Sequence, residues 1–234
     1  MAAQTYGEIV NRVLLHAPSV PLSLAQAWVQ DAYDELCGKR HWAFLRGEYL
    51  LSTLASRALT TTFSLASTAI TSAAGFVASD AGRQIRVSTG TIYTINTVTD
   101  ASNAVLTLAY REAAAVGAQA ATISDIYLPM PADFRSFHSV TDLTYQRFVA
   151  WWIARDRLDL YDPARTMSDS RFRTLCAYQL SDVTSTAGQL LYEAWPHPTG
   201  AATYVVEYFK RSDTLTDDTT FRGVLATKTS ALEQ

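Results

Sequence analysis

The stretch RQIRVSTGTIYTINTVTDASNAVLTLAY, Arg83 to Tyr110, decides the fold class. It is rich in Thr, Val and Ile, and its only acid is Asp100. Ile85 and Val87 share one face of an extended segment, while Gln84, Arg86 and Ser88 take the other. Thr89-Gly90 predicts a two-residue hairpin turn, with glycine supplying the positive φ. Ile92 to Val98 returns, Asp100 to Asn103 turns again, and Val105 to Tyr110 is a third strand; a fourth is expected between Ala118 and Leu128. In Ile92 to Val98 both faces carry apolar residues, Ile92 and Val98 against Tyr93 and Ile95. That pattern fits a small barrel or sandwich better than a sheet with one wet face.

On the N-terminal side the period changes to that of a helix. Thr5 and Glu8 form a capping box, and Tyr6, Ile9, Val10, Val13, Leu14 and Ala17 recur at helical spacing. Pro18 and Pro21 break the chain. Ser23 and Gln26 predict a second capping box, Trp28, Val29, Ala32, Tyr33 and Leu36 a second stripe, and Gly38 a stop. An antiparallel helical hairpin over roughly 5–38 follows. His41 to Leu51 then reads as a first strand and Leu59 to Thr71 as a weak one.

On the C-terminal side Pro129 and Pro131 close the β unit, and Phe148 to Tyr161 predicts a helix ended by Asp162-Pro163. Phe172 to Leu180, Gln189 to Trp195 and Thr203 to Arg211 read as strands, 212–223 as a polar loop, and TKTSALEQ as the first turn of a helix without a stop signal. The fold class expected is α+β: a helical hairpin (1–45) packing with 129–234 as a core domain, an inserted antiparallel β domain (46–128), then mixed helix and strand to a C-terminal docking segment.

With 234 residues, 48% hydrophobic and 18% charged, the chain can bury a real core, and its 11% aromatics argue against disorder. No stretch approaches the ~18 apolar residues of a membrane span, and no secretion signal is visible in MAAQTYGEIVNR. A net charge of −3 argues against electrostatic capture of nucleic acid. Cys37 and Cys176 are expected as reduced, buried thiols, with a disulfide as the alternative.

No catalytic or cofactor motif is present: neither Gly-x-Ser-x-Gly, GxxxxGK, GxGxxG nor HExxH occurs, and the four histidines are scattered. Neither catalysis, a metal nor a cofactor is therefore expected. Asp156, Asp159 and Asp162 at a spacing of three form an acidic stripe, read as a solvated face balanced by Arg155, Arg157 and Arg165, or else as an inter-subunit salt-bridge row. Asp213, Asp217 and Asp218 lack the alternation of a calcium loop. Adjacent Trp151 and Trp152 cannot share one helix face; one is expected in the core and the other outward or against a neighbour, unless other segments cover both. Arg83, Arg86 and Arg111 with Tyr93 and Tyr110 are a weaker candidate for an aromatic and basic face.

Three phrases then matter together: YGEIVNRVLLHAP followed by LAQAWVQDAYDELCGKRHWAFL; IYLPMPADFRSFHSV; and GQLLYEAWPHPTGAATYVVEYFKRSDTLTDD. In this order they resemble the head-to-tail adaptor (head-completion or neck) proteins of tailed bacteriophages. There a helical pair ends in a W-x-F segment, here Trp42 and Phe44. An LP-x-DF phrase opens the second half, here Leu128 to Phe134, and a P-x-P turn joins two strands, here Trp195 to Pro198. The resemblance implies a non-catalytic virion protein made in the host cytoplasm. Copies, commonly twelve, would form a homo-oligomeric ring beneath the portal protein, extend the channel through which genomic DNA passes without sequence-specific binding, and dock tail-tube or nozzle proteins, with no membrane contact. Trp28, Trp42, Phe44, Trp151, Trp152, Asp156 and Asp159 become candidates for the subunit or portal interface, and Arg83, Arg86 and Tyr93 for contacts of the β insert, which would offer edges and loops to its neighbours. The alternatives are a carbohydrate- or receptor-binding β module of a virion, using Tyr93 or Trp195, and a hydrolase drawing on Asp133, Asp156 or His138.

Overall fold

A computed structural model describes residues 5–73, 75–88, 90–113, 116–151 and 153–215. They divide into two compact units, one holding residues up to Gly47 with those from Tyr208 onward, the other Glu48–Glu207.

In the first unit, α1 (Tyr6–His16) starts on the Thr5–Glu8 capping box: Glu8 N donates to Thr5 Oγ1 at 3.1 Å and Thr5 N to Glu8 Oε2 at 2.7 Å. α2 (Leu22–Lys39) follows Pro21 without a side-chain cap and runs through Gly38. Ala25, Val29, Tyr33 and Cys37, four apart, form its buried stripe and pack with Tyr6, Val10, Leu45, Phe209 and Leu215. This unit is tied by Gln30, which accepts from Leu215 N at 2.6 Å, and by His41 stacked on Phe209 at 4.4 Å.

β1 (Arg46–Thr53), after a single 3-10 turn at Ala43–Leu45, carries the chain from the first unit into the second. Then come β2 (Arg57–Phe63), β3 (Ala69–Ser72), β4 (Gln84–Val87), β5 (Ile92–Val98), β6 (Asn103–Leu106) and β7 (Gly117–Ser124). These last six close into an antiparallel barrel in the order β2-β3-β6-β5-β4-β7, with β7 returning to β2 so that Arg57 faces Ile123. Phe63, Ile70, Ile85, Ile95, Leu106 and Ile123 fill it. Tyr110 lies among them, stacked on Phe63 at 4.6 Å. Beyond the barrel run β8 (Tyr127–Pro129), β9 (Phe134–Asp142), β10 (Arg147–Phe148), α3 (Arg155–Tyr161), β11 (Ser168–Asp169), β12 (Thr174–Leu180), β13 (Leu190–Trp195), β14 (His197–Pro198) and β15 (Ala202–Lys210). They build a sheet in the order β1-β15-β9-β10, a three-stranded antiparallel sheet β12-β13-β8, and the short parallel pair β11-β14.

The two apolar faces of β5 have a specific cause. Ile95 faces Leu106 but Thr97 faces Val105, so Asn96 is an extra residue, a β-bulge. The bulge inverts the alternation, and Val98 packs on the barrel interior with Tyr93 and Ile95 although its parity is opposite. Ile92 packs outside the barrel, against Ile126, Tyr127 and Leu191.

The α+β expectation is overturned: the chain is mostly β, and the helical hairpin is matched only in part. α2 lacks the expected Ser23–Gln26 box, and its buried stripe leaves Trp28 and Leu36 outside. The helix expected over Phe148 to Tyr161 shrinks to Arg155–Tyr161, because Arg147 and Phe148 pair with Asp142 and Thr141, and Ala150 bridges Thr174. A short apolar run such as FVAW satisfies either period, and here strand pairing wins. Closure also leaves the barrel without the free strand edges expected of the insert. Cys37 and Cys176 are buried and are not joined in a disulfide. Among the described residues no helix is long and apolar enough to cross a membrane. The TKTSALEQ segment, Asp217 and Asp218 lie outside the described residues.

Candidate functional site

Two buried charge networks fix the frame on which the surface of the second unit is displayed. In the first, Asp80, fully buried, takes Arg57, Arg83 (3.4 Å) and Val77 N (2.9 Å). Arg83 also donates to Asp125 at 2.7 Å and to the carbonyls of Leu54 and Ala55 at 3.3 and 2.9 Å. Next to it, Gln84 Oε1 accepts from Ile126 N and Tyr127 N at 2.7 and 2.8 Å. These bonds tie the barrel to the segments that enter and leave it.

The second network holds α3. Glu193, with no exposed surface, receives Arg165, and Arg155 lies 3.5 Å from its other oxygen. Arg165 donates to Asp159 at 2.5 Å and to the Asp162 carbonyl at 2.6 Å. Burial works against the Arg165 charge, but these hydrogen bonds outweigh it and raise its pKa. Asp162, just past α3, accepts from Thr166 N, Met167 N and Trp195 Nε1 at 2.8, 2.9 and 3.2 Å. Burial alone would raise its carboxyl; the hydrogen bonds bring it below the usual range. Arg86 reaches from β4 to the carbonyls of Ala164 and Arg165, both at 2.6 Å. Leu158 is the apolar anchor of α3, while Leu160 and Tyr161 are 82% and 72% exposed.

A third group lies at the β9–β10 hairpin. Asp142 caps its own turn, accepting from Thr144 N at 2.8 Å and Tyr145 N at 3.2 Å, and it holds Arg171 at 2.8 Å. Phe172 is buried and stacks on buried Tyr204 at 4.0 Å. Its neighbours Arg171 and Arg173, in the irregular stretch ahead of β12, are half-buried and exposed. The Arg171 guanidinium lies over the Tyr145 ring at 4.8 Å and that of Arg147 at 5.8 Å from its centroid, while Arg173 bonds Asp169 at 2.6 Å. Tyr145 and Phe148 remain 60% and 54% exposed. The result is an open cavity of about 350 Å³ walled by exposed aromatic rings and guanidinium groups.

The interface candidates of the second unit sit in separate surroundings. Asp159 is engaged by Arg165, and Asp156 accepts from Arg157 N at 2.9 Å. Asp162 is buried, so no acidic row of three forms. Trp151 is half-buried between Phe137 and Phe148, 5.7 and 4.9 Å from their rings; Trp152 lies outside the described residues. Within the first unit, Trp28 is 46% exposed, and Trp42 stacks loosely on Phe44 at 6.0 Å while donating to the Leu36 carbonyl at 2.8 Å. Arg83 is buried in the ion network, Arg86 is bound to carbonyls, and Tyr93 sits inside the barrel with its hydroxyl accepting from Arg111 N at 3.0 Å, so these three make no common face.

Sequence reasoning missed Tyr145, Arg147, Phe148, Arg171 and Arg173. The available signal was Arg171-Phe172-Arg173, one large apolar residue between two cations, just ahead of the strand that begins at Thr174. Among the described residues no group of three or more His, Cys, Asp or Glu side chains is placed to hold a metal ion. No family model, curated protein or solved structure matches the chain.

Proposed function

We propose that the chain is a structural subunit of a virion, a head-to-tail adaptor that forms a ring beneath the portal, extends the DNA channel and presents a docking surface to the tail. The order of segments that resembles neck proteins supports this reading, and one structural observation carries it. α3 is pinned by Leu158, Arg155 and the Asp159–Arg165–Glu193 bonds, yet holds Leu160 and Tyr161 almost fully in water. Two adjacent large apolar side chains held outward on a fixed element are what a protein contact uses. A net charge of −3 suits a channel wall along which DNA slides without being gripped.

The test is to mix the purified chain with the portal protein encoded in the same genome, then follow mass by light scattering and shape by imaging. A ring on the portal is expected, and the Leu160→Ser/Tyr161→Ser double variant should lose it while keeping its melting temperature. A chain that stays monomeric and never binds portal overturns the proposal. The carbohydrate reading gains no support from the rings it needs: Tyr93 is inside the barrel, and Trp195 is half-buried and bound to Asp162.

A further inference from the structure

We propose that the cavity at the β9–β10 hairpin is a docking site for an acidic peptide segment of a partner protein, one that brings an aromatic or aliphatic side chain between its carboxylates. The inference goes beyond the adaptor reading and stands on different residues. Among the described residues of the second unit Tyr145 and Phe148 are the most exposed aromatic rings after Tyr161, and about 350 Å³ is room for one large side chain with its flanking backbone. Both rings have packed neighbours: Tyr145 lies under two guanidinium groups beside a turn capped by Asp142, and Phe148 packs on Trp151 at 4.9 Å. An exposed ring with packed neighbours loses little conformational freedom when it is covered.

The charge selects the partner. Three guanidinium groups, Arg147, Arg171 and Arg173, face two carboxylates, Asp142 and Asp169. The site is therefore positive on a chain that is negative overall. Arg171 is neutralised by Asp142, with a side chain only 18% exposed. Arg173 has its side chain 72% exposed, so its surface pair with Asp169 is weak and exchangeable. Arg147 is exposed and, among the described residues, forms no ion pair. Arg147, and Arg173 by exchange of its exposed pair with Asp169, can thus donate to a partner's carboxylates in forked geometry. The same two aspartates disfavour a nucleic acid, which carries a phosphate at every step and no donors to offset them beyond its bases. A peptide supplies backbone N–H groups to the aspartates and carboxylates to the arginines.

The experiment uses the full chain and fluorescence anisotropy. The probes are a labelled peptide with a central phenylalanine flanked on each side by glutamates, its counterpart with glutamines, and a short oligothymidylate. The acidic peptide is expected to bind at least tenfold more tightly than the glutamine peptide, with an affinity that falls as salt rises. Arg147→Gln/Arg173→Gln should weaken it at least tenfold without moving the melting temperature, and Phe148→Ala should weaken both peptides. Equal binding of the two peptides, binding indifferent to the arginine double variant, or tighter binding of oligothymidylate than of the acidic peptide would each overturn the proposal. Neither Leu160 nor Tyr161 lines this cavity, so failure here leaves the ring assay to stand or fall separately.

Discussion

Single residues carry the sharpest energetic consequences. Asp80 is fully buried and receives two arginines, so Asp80→Ala takes one of two carboxylates from buried Arg83, which keeps Asp125, and removes the carboxylate that Arg57 pairs with. Breaking a buried pair from one side costs about 3–5 kcal/mol, and with Asp125 still on Arg83 urea denaturation should register a loss of about 3 kcal/mol, at the lower end of that range. His197 acts through pH. Burial, and then the Arg86 charge beside it, lower its pKa to about 4, and among the described residues its Nε2 has no hydrogen-bond partner. Between pH 6.5 and pH 4 the unfolded chain binds a proton that the folded chain refuses. The stability present above pH 6.5 is therefore lost as pH falls through that window, by about 3 kcal/mol for a shift of this size. Stability measured across it should fall with pH in the native chain and stay flat in His197→Leu. Asp162 contributes separately and lower, since its folded pKa lies below 3.8 and its hydrogen bonds are lost only as pH drops past it.

At the scale of elements, the β5 bulge is both a register device and a cap. Asn96 Oδ1 accepts from Thr184 N at 2.8 Å and Thr184 Oγ1 at 3.0 Å, at the start of the 3-10 turn Thr184–Thr186. Asn96→Ala should cost about 1 kcal/mol, as loss of a cap does. Deleting Asn96 should be far worse, because Val98 would then point out of the barrel; loss of the barrel's circular-dichroism signal and melting transition would report it. This element also marks the limit of what the sequence discloses. Ile92 read correctly as lying opposite Tyr93 and Ile95, but Val98 was placed on the face of Ile92 and lies inside the barrel, because the one unpaired residue that moves it depends on the partner strand and has no local signature. β9 was missed for a related reason: Phe134, Phe137 and Val140 are buried at a spacing of three, so the nine residues show neither period. The α1 capping box was legible because its two bonds join residues three apart. The arginine and aromatic cavity was not, since it joins Asp142 to Arg171 across 29 positions of chain.

At the scale of the molecule, the barrel has its own core and closes on itself, Arg57 beside Ile123. A fragment of residues 56–125 keeps Asp80, Arg83 and Asp125 together and is of a size that folds alone. It should give a dispersed amide NMR spectrum and a cooperative melt, whereas a spectrum collapsed to random-coil shifts would contradict it. The adjacency of entry and exit has a further meaning. Because the main chain enters the barrel from β1 of one sheet and leaves it toward β8 of another on paired strands, the surrounding strands meet only a gap one strand-spacing wide. Recombination can trade this cassette for a longer one, a shorter one or a bare turn without shifting any residue elsewhere. Related chains are therefore expected to differ most in size between Ala55 and Ile126 while keeping the surrounding strands in step.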